Sequence, residues 1–218
     1  MGNRSYEQVC PAAYALDIVG ERWTLLIIRE LAHGSRRFTD LQHSLPGIGP
    51  NLLSDRLKKL EQFDVIRQRR LPPPAASTVY ELTETGALLR PVLVGLTQFG
   101  LRYMPLPPPS TDVVTPNSLV GILWLRFRRE TAVSSPLRAE LHANGDVVYA
   151  VIEDGTIRSG YGTIDDCHLI VTGEPPALFN LILHEQKMDD LLDREQIRLV
   201  KGDSALLQLF LDHFAPLT

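Results

Sequence analysis

A polar stripe runs through residues 51 to 58. Asn51, Ser54, Asp55 and Lys58 recur at i, i+3, i+4 and i+7, and Leu53, Leu57 and Leu60 fall on the other side. An amide, a hydroxyl, a carboxylate and an ammonium projecting from one helix face can read base edges. Asn pairs bidentately with adenine, a contact worth about 1–3 kcal/mol of discrimination. Asp55 suits this task least, because its carboxylate repels phosphate unless it accepts from a cytosine or orients Arg56. Around the stripe lies a basic cluster of Arg36, Arg37, Arg56, Lys58, Lys59, Arg67, Arg69 and Arg70. Of these, Arg36, Arg37, Arg67, Arg69 and Arg70 read as contacts to phosphate or to a minor groove. The plain alternative is a solvated helix face beside a solvated basic surface.

Cys10 is the other residue with possible chemistry. It precedes Pro11, and proline is favoured at the first helical position, so the thiol falls at an N-cap. The helix dipole and exposed N–H groups there stabilise a thiolate. The alternative is a small apolar residue closing a seam between protomers. Cys167 reads as packed in a strand, and two cysteines in a reducing compartment rarely form a structural disulfide. The six histidines are scattered, without HxxxH or CxxC company, so no metal site is expected. No GxGxxG or Walker loop is present, and Gly160-Tyr-Gly162 alone carries nothing. Asp165-Asp166 and Asp189-Asp190 read as solvated turns. No cofactor and no enzymatic activity are expected.

The elements that must position these side chains follow from periodicity and breakers. Ala12–Val19 and Trp23–Ala32 read as helices, with Gly34 just past the second. Phe38–Leu45 and Pro50–Phe63 are two further helices, separated by Pro46, Gly47, Ile48 and Gly49. Val65–Arg70 and Val79–Leu82 form a hairpin whose tip contains Pro72, Pro73 and Pro74. Two helices across a tight turn, followed by a basic ribbon, are the plan of a winged helix-turn-helix, whose second helix fits a major groove. Ala87–Tyr103 reads as one long helix. Its Leu89, Val92, Leu93, Leu96, Phe99 and Tyr103 give more apolar face than a small domain can cover, as a dimer helix would.

The whole chain of 218 residues carries a net charge of −4, which by itself argues against a nucleic-acid partner. Divided at Met104, it separates into a first part with 13 Lys+Arg against 10 Asp+Glu and a second with 9 against 16, so +3 and −7. No run of about 18 apolar residues exists, and no apolar signal core follows Met1, so a cytoplasmic, nucleoid-associated protein without a membrane partner is expected. Residues 105–116, with Pro105, Pro107, Pro108, Pro109 and Pro116, form a stiff linker between residues 1–104 and 117–218. Beyond it, Ser118–Arg129 reads as a helix. Leu137–Ala143, Val147–Ile152, Thr156–Tyr161, Cys167–Thr172 and Ile197–Lys201 read as strands, with turns at Asn144-Gly145 and Asp154-Gly155. Ala177–Glu185 and a segment after Ser204 read as helices, and Lys187–Glu195 as a charged connection. The class is α+β, an antiparallel sheet with flanking helices. Trp124, Phe127, Phe179, Leu183, Met188, Leu207 and Phe210 are candidates to line an apolar pocket, core packing being the alternative.

Cys10-Pro11, Gly20-Glu-Arg-Trp23, Gly34-Ser-Arg-Arg-Phe38, Arg56-Leu57, Leu60-Glu61 and Tyr80-Glu-Leu-Thr83 with Gly86 and Pro91 resemble, in order and spacing, the HxlR family of bacterial transcriptional regulators. The likeness covers residues 6–104. It implies a homodimer that binds double-stranded operator DNA, with the helix at Pro50 in the major groove. In several regulators of that family the cysteine at the place of Cys10 senses oxidants or electrophiles. The second domain is similar to sterol-carrier-protein-like folds, through its Asp154-Gly155 meander, the Gly173–Phe179 helix entry and Ile197–Asp203. That likeness implies a small apolar ligand. Together these lead to a dimeric, sequence-specific regulator controlled by such a ligand or by cysteine oxidation. The competing class is an apolar-ligand carrier whose winged helix serves only as a protein-interaction module.

Overall fold

A computed structural model describes residues 5–73, 76–105, 108–109, 111–130 and 136–216. Pro74 of the hairpin tip and Pro107 and Ser110 of the linker lie outside them. The chain divides into two compact units, Met1–Tyr103 and Met104–Thr218.

The first unit begins with α1 (Pro11–Val19), α2 (Thr24–Ala32), α3 (Phe38–Ser44) and α4 (Pro50–Gln62). The strands β1 (Ile66–Arg70) and β2 (Thr78–Leu82) follow, then α5 (Glu84–Ala87) and α6 (Arg90–Leu101). Pro11 and Pro50 open α1 and α4, where a missing N–H costs least. Ile27, Ile28 and Leu31 of α2, Leu41 of α3 and Leu53, Leu57 and Leu60 of α4 close on one core. The α3–α4 turn is held by its own apolar residues, since Leu45 and Ile48 are both buried. Gly47 turns it at φ +93°, a conformation that favours glycine. The helix expected from Ala87 to Tyr103 is α6, shortened to Arg90–Leu101, and a separate four-residue helix, α5, precedes it. Thr83 caps α5 by accepting from Gly86 N–H, and α5 ends at Ala87, the residue whose carbonyl the ring of Pro91 would meet.

The second unit comprises α7 (Pro116–Arg126), β3 (Leu137–Ala143), β4 (Asp146–Glu153), β5 (Thr156–Tyr161), β6 (Leu169–Gly173), α8 (Pro175–Ile182), α9 (Met188–Asp193), β7 (Ile197–Lys201) and α10 (Ser204–Leu211). Asn144-Gly145 and Asp154-Gly155 turn the β3–β4–β5 meander with positive φ at both positions of each pair. The strand order is β5-β4-β3-β6-β7, and β3 pairs with β6 in parallel. The sheet is therefore mixed, not antiparallel throughout. The connection after β5 passes to the far side of β3, and buried Glu140 holds it by accepting from Ile164 N–H at 2.9 Å. Two boundaries also move. Thr115, placed in the linker by composition, is the N-cap of α7 and forms a capping box with Ser118, so Pro116 belongs to the helix. The charged 187–195 segment contains α9, whose Leu191 is buried and whose Asp189 and Asp190 sit in the first turn.

Candidate nucleic-acid interface

The recognition face is built on α4. Burial of Leu53, Leu57 and Leu60 fixes which way the helix turns, because positions three and four apart share a side. Asn51, Asp55 and Lys58 are consequently exposed, and Ser54 is half-buried beside them. Asn51 is the second residue of the helix, exposed in its first turn.

Arg56 and Lys59 lie elsewhere. Both reach Glu21, Arg56 Nη2 at 2.5 Å and Lys59 Nζ at 2.9 Å. Arg56 Nε also donates to Arg22 O at 3.3 Å, and Lys59 Nζ to Asp17 O at 2.8 Å. The Lys59 hydrogen bond, ahead of the charges of Arg56 and Lys59, holds the Glu21 carboxyl below the usual carboxylate range. The two cations therefore tie α4 to the end of α1 instead of standing on the outward face. The Asp17 carboxylate in turn accepts from Ser5 Oγ at 2.9 Å and Tyr6 N–H at 3.1 Å, so residues 5 and 6 are tied to α1. Cys10 is the N-cap of α1 and a free, half-buried thiol. Trp23 starts α2 at φ +78°, with the Arg22 guanidinium 5.4 Å from its ring centroid.

In the wing, β1 and β2 pair antiparallel with Arg67 opposite Glu81 and Arg70 opposite Thr78. Alternation sends Arg67 and Arg69 to one face and Arg70 to the other. Arg67 Nε and Arg69 Nε each donate to Glu81, to separate carboxylate oxygens and both at 2.8 Å. These bonds, Arg69's first, hold Glu81 below the usual carboxylate range, so it stays ionised beside them. Arg36 is stitched to the wing by its backbone. Its N–H donates to Tyr80 O at 2.9 Å and its carbonyl accepts from Tyr80 N–H at 2.7 Å. Its side chain is half-buried. Arg37 is exposed at the N-cap of α3, where Asp40 Oδ2 accepts from its N–H at 3.1 Å. Behind the wing, burial and then the charges of Arg29, Arg90 and Arg36 push His33 down to about 4, which leaves it neutral at pH 7.

The profile of the HxlR-like helix-turn-helix family matches residues 18–107. The HTH-type transcriptional regulator YvaP of Bacillus subtilis is 33% identical over 98 residues, which cover 44% of this chain and 91% of YvaP. The chain belongs to the HxlR-like helix-turn-helix family. The HTH-type transcriptional regulator YodB, also of Bacillus subtilis, is 37% identical to this HxlR-like chain over 93 residues, 42% of the chain and 80% of YodB. A solved structure of reduced YodB, at 32% identity, covers 44% of this chain and 95% of that one with a TM-score of 0.40. The matched residues 18–107 take in most of the first unit and end just beyond it.

In the second unit, the expected pocket residues are placed mostly in the interior. Phe179, Leu183, Leu207 and Phe210 are buried in one core, with Phe127 and Met188 packed against it, and Trp124 is 50% exposed. A cavity of about 290 Å³ is lined by Leu181, His184, Gln186, Lys187, Met188, Asp189, Gln208 and Leu211. Of the seven candidates, Met188 alone reaches it. The apolar spacing that marks a pocket wall also marks a packed core, and here it marks the core. Burial and the nearby Glu140 charge raise the Cys167 thiol, which makes it a poor nucleophile. Among the described residues no cluster of three or more metal-ligating side chains exists, and no helix is long and apolar enough to cross a membrane.

Sequence reasoning missed Glu21 and Glu81, the two carboxylates that organise the basic residues. The signal for Glu81 lay in the hairpin itself, since residues on alternate positions of paired strands share a face. Glu21 lay inside the Gly20-Glu-Arg-Trp23 motif, but no spacing there tied it to Arg56 and Lys59.

Proposed function

We propose that the protein is a homodimeric, sequence-specific DNA-binding transcriptional regulator. The observation that supports it best is the exposure of Asn51, Asp55 and Lys58 on a helix whose opposite side is locked into the core. Beside them stands a wing bearing exposed Arg67, Arg69 and Arg70. Dimerisation is favoured by α6, none of whose residues is buried. Val92, Leu96 and Phe99, at helical spacing, are 52%, 49% and 59% exposed, and Tyr103 just past the helix end is 72% exposed. Two reading heads suit a palindromic site with half-sites one helical turn or a multiple apart.

A salt series tests this reading. Binding to a duplex carrying the chain's own upstream region is measured by gel shift from about 50 to 200 mM salt, beside light scattering of the free protein. Arg69→Ala with Arg70→Ala is expected to weaken binding and to flatten the logarithmic salt slope by about 0.9 per lost phosphate contact. An unchanged slope places the wing off the DNA, and a monomeric mass removes the two-headed reading.

Cys10 is the favoured point of control, as a free, partly accessible thiol at the start of a nine-residue helix. Diamide with added glutathione, which joins an accessible thiol to glutathione in a mixed disulfide as diamide is reduced to its hydrazine, is expected to release wild-type protein from the duplex and to leave Cys10→Ser bound. Equal release of both removes Cys10 from control. The second unit, in this reading, is a sensor or assembly module.

A further inference from the structure

We propose that Glu81 is a positioning residue for DNA binding, holding Arg67 and Arg69 as a prepared pair of guanidinium groups on one face of the wing. The inference rests on the reading of the wing as a DNA-contacting element and adds to it the residue that sets its geometry.

Three observations support it. Arg67 and Arg69 stand two residues apart on β1, so they share a face with Glu81, directly opposite Arg67 on β2. Each arginine is held through Nε, one to each carboxylate oxygen, both at 2.8 Å. The Glu81 side chain is only 17% exposed, whereas those of Arg67 and Arg69 are 66% and 46% exposed. The acid is thus the fixed member and the two bases the accessible ones. A guanidinium bound through Nε still has its Nη groups with which to donate to phosphate, in the fork geometry that suits bidentate recognition.

The ion pairs act in two opposite directions on DNA affinity. The carboxylate lowers the charge of the trio to +1, which weakens long-range attraction. It also removes rotamer freedom that both arginines would otherwise lose on binding, and it offsets repulsion between two like charges on neighbouring positions of one face. At physiological salt the Debye length is about 8 Å, so the long-range term is screened while the ordering term is not. Positioning has then to outweigh the carboxylate–phosphate repulsion that remains inside that length, and the Glu81→Gln variant measures which wins.

The test is binding of full-length Glu81→Gln, with Arg67→Ala/Arg69→Ala and the triple variant, to the upstream-region duplex across a salt series. Thermal unfolding of each is measured alongside. Glu81→Gln is expected to raise Kd about tenfold at 150 mM salt, with no fall in salt slope, because ordering is lost and phosphate contacts are not. In the background lacking both arginines the same substitution is expected to cause no loss and a small gain, from removal of a carboxylate without its arginine partners, which separates positioning from a general effect on the fold. Glu81→Asp, with its charge kept and its reach shortened, is expected to lose affinity in the same arginine-dependent way. Binding by Glu81→Gln that equals or exceeds the parent's makes the carboxylate a competitor and overturns the proposal. A loss that persists without the arginines overturns it as well. If the double arginine variant itself binds with unchanged affinity and slope, the wing reading fails first and the proposal with it. If the double variant is weakened and Glu81→Gln is not, only the proposal fails.

Discussion

Gly86→Ala is expected to unfold the first unit at a denaturant concentration well below the wild-type midpoint while leaving the second unit's transition in place. A Cβ on Gly86 would lie 2.0 Å from the Val65 carbonyl oxygen, 3.0 Å from its carbon and 3.2 Å from Leu82 Cδ2. The obstacle is backbone, and it is held from several sides. Val65 O already accepts from Thr83 N–H at 3.1 Å and from Thr83 Oγ1 at 3.2 Å, while Gly86 N–H donates to Thr83 Oγ1 at 3.0 Å. The four-residue turn of α5 is thereby docked on the junction between α4 and β1. Relieving the clash means separating them, which costs about 3 kcal/mol or more, the upper range for overpacking a close-packed site. With a urea slope of about 1–3 kcal/mol per molar, the midpoint moves by about 1–3 M. The chain has two tryptophans, Trp23 in the first unit and Trp124 in the second, so single Trp→Phe variants let fluorescence follow each unit alone. A Trp23 transition at the wild-type midpoint would show that the junction yields without cost.

That glycine also shows which parts of the structure were legible in sequence. Local patterns sufficed where the determinant was local. The spacing of Leu53, Leu57 and Leu60 with Pro50 ahead of them marked α4 and its buried side, and Asn144-Gly145 and Asp154-Gly155 marked the meander of the second unit. What failed depended on partners distant in the chain. The parallel pairing of β3 with β6 is a choice of strand order, which no period encodes. Arg56 and Lys59 belonged to the basic cluster by count. Each follows a residue of the outward stripe by one position, about 100° around the helix, and that rotation turns them toward Glu21. The mutual placement of Arg67, Arg69 and Glu81 required the register of the hairpin, though not its existence. In the second unit the large apolar side chains were visible, yet whether they wall a cavity or fill a core is a question of packing. Phe179, Leu207 and Phe210 fill it.

The largest functional effect is expected on α4, where two exposed side chains of different chemistry should fail in different ways. Asn51→Ala removes an amide whose paired donor and acceptor match one base edge and not the others, so its contribution depends on sequence. Lys58→Ala removes an ammonium that shares the base-reading stripe but also attracts any phosphate as a point charge, and it is this second, sequence-independent contribution that is expected to dominate. Both positions are exposed, and neither belongs to the Leu53–Leu57–Leu60 core, so the fold is expected to be unaffected. With Asn51→Ala, the ratio of affinities for the upstream-region duplex and a shuffled duplex is expected to fall by about 5- to 150-fold, from about 1–3 kcal/mol of lost discrimination, with the salt slope unchanged. With Lys58→Ala, both affinities are expected to fall by the same factor and the slope by about 0.9. In the double variant the two losses should combine, since a groove contact and a backbone contact are independent unless the helix itself shifts. The tie from Arg56 and Lys59 to Glu21 opposes such a shift. Equal loss on both duplexes from Asn51→Ala would mean that α4 meets DNA as a charged rod, and base reading would then have to be sought on another element.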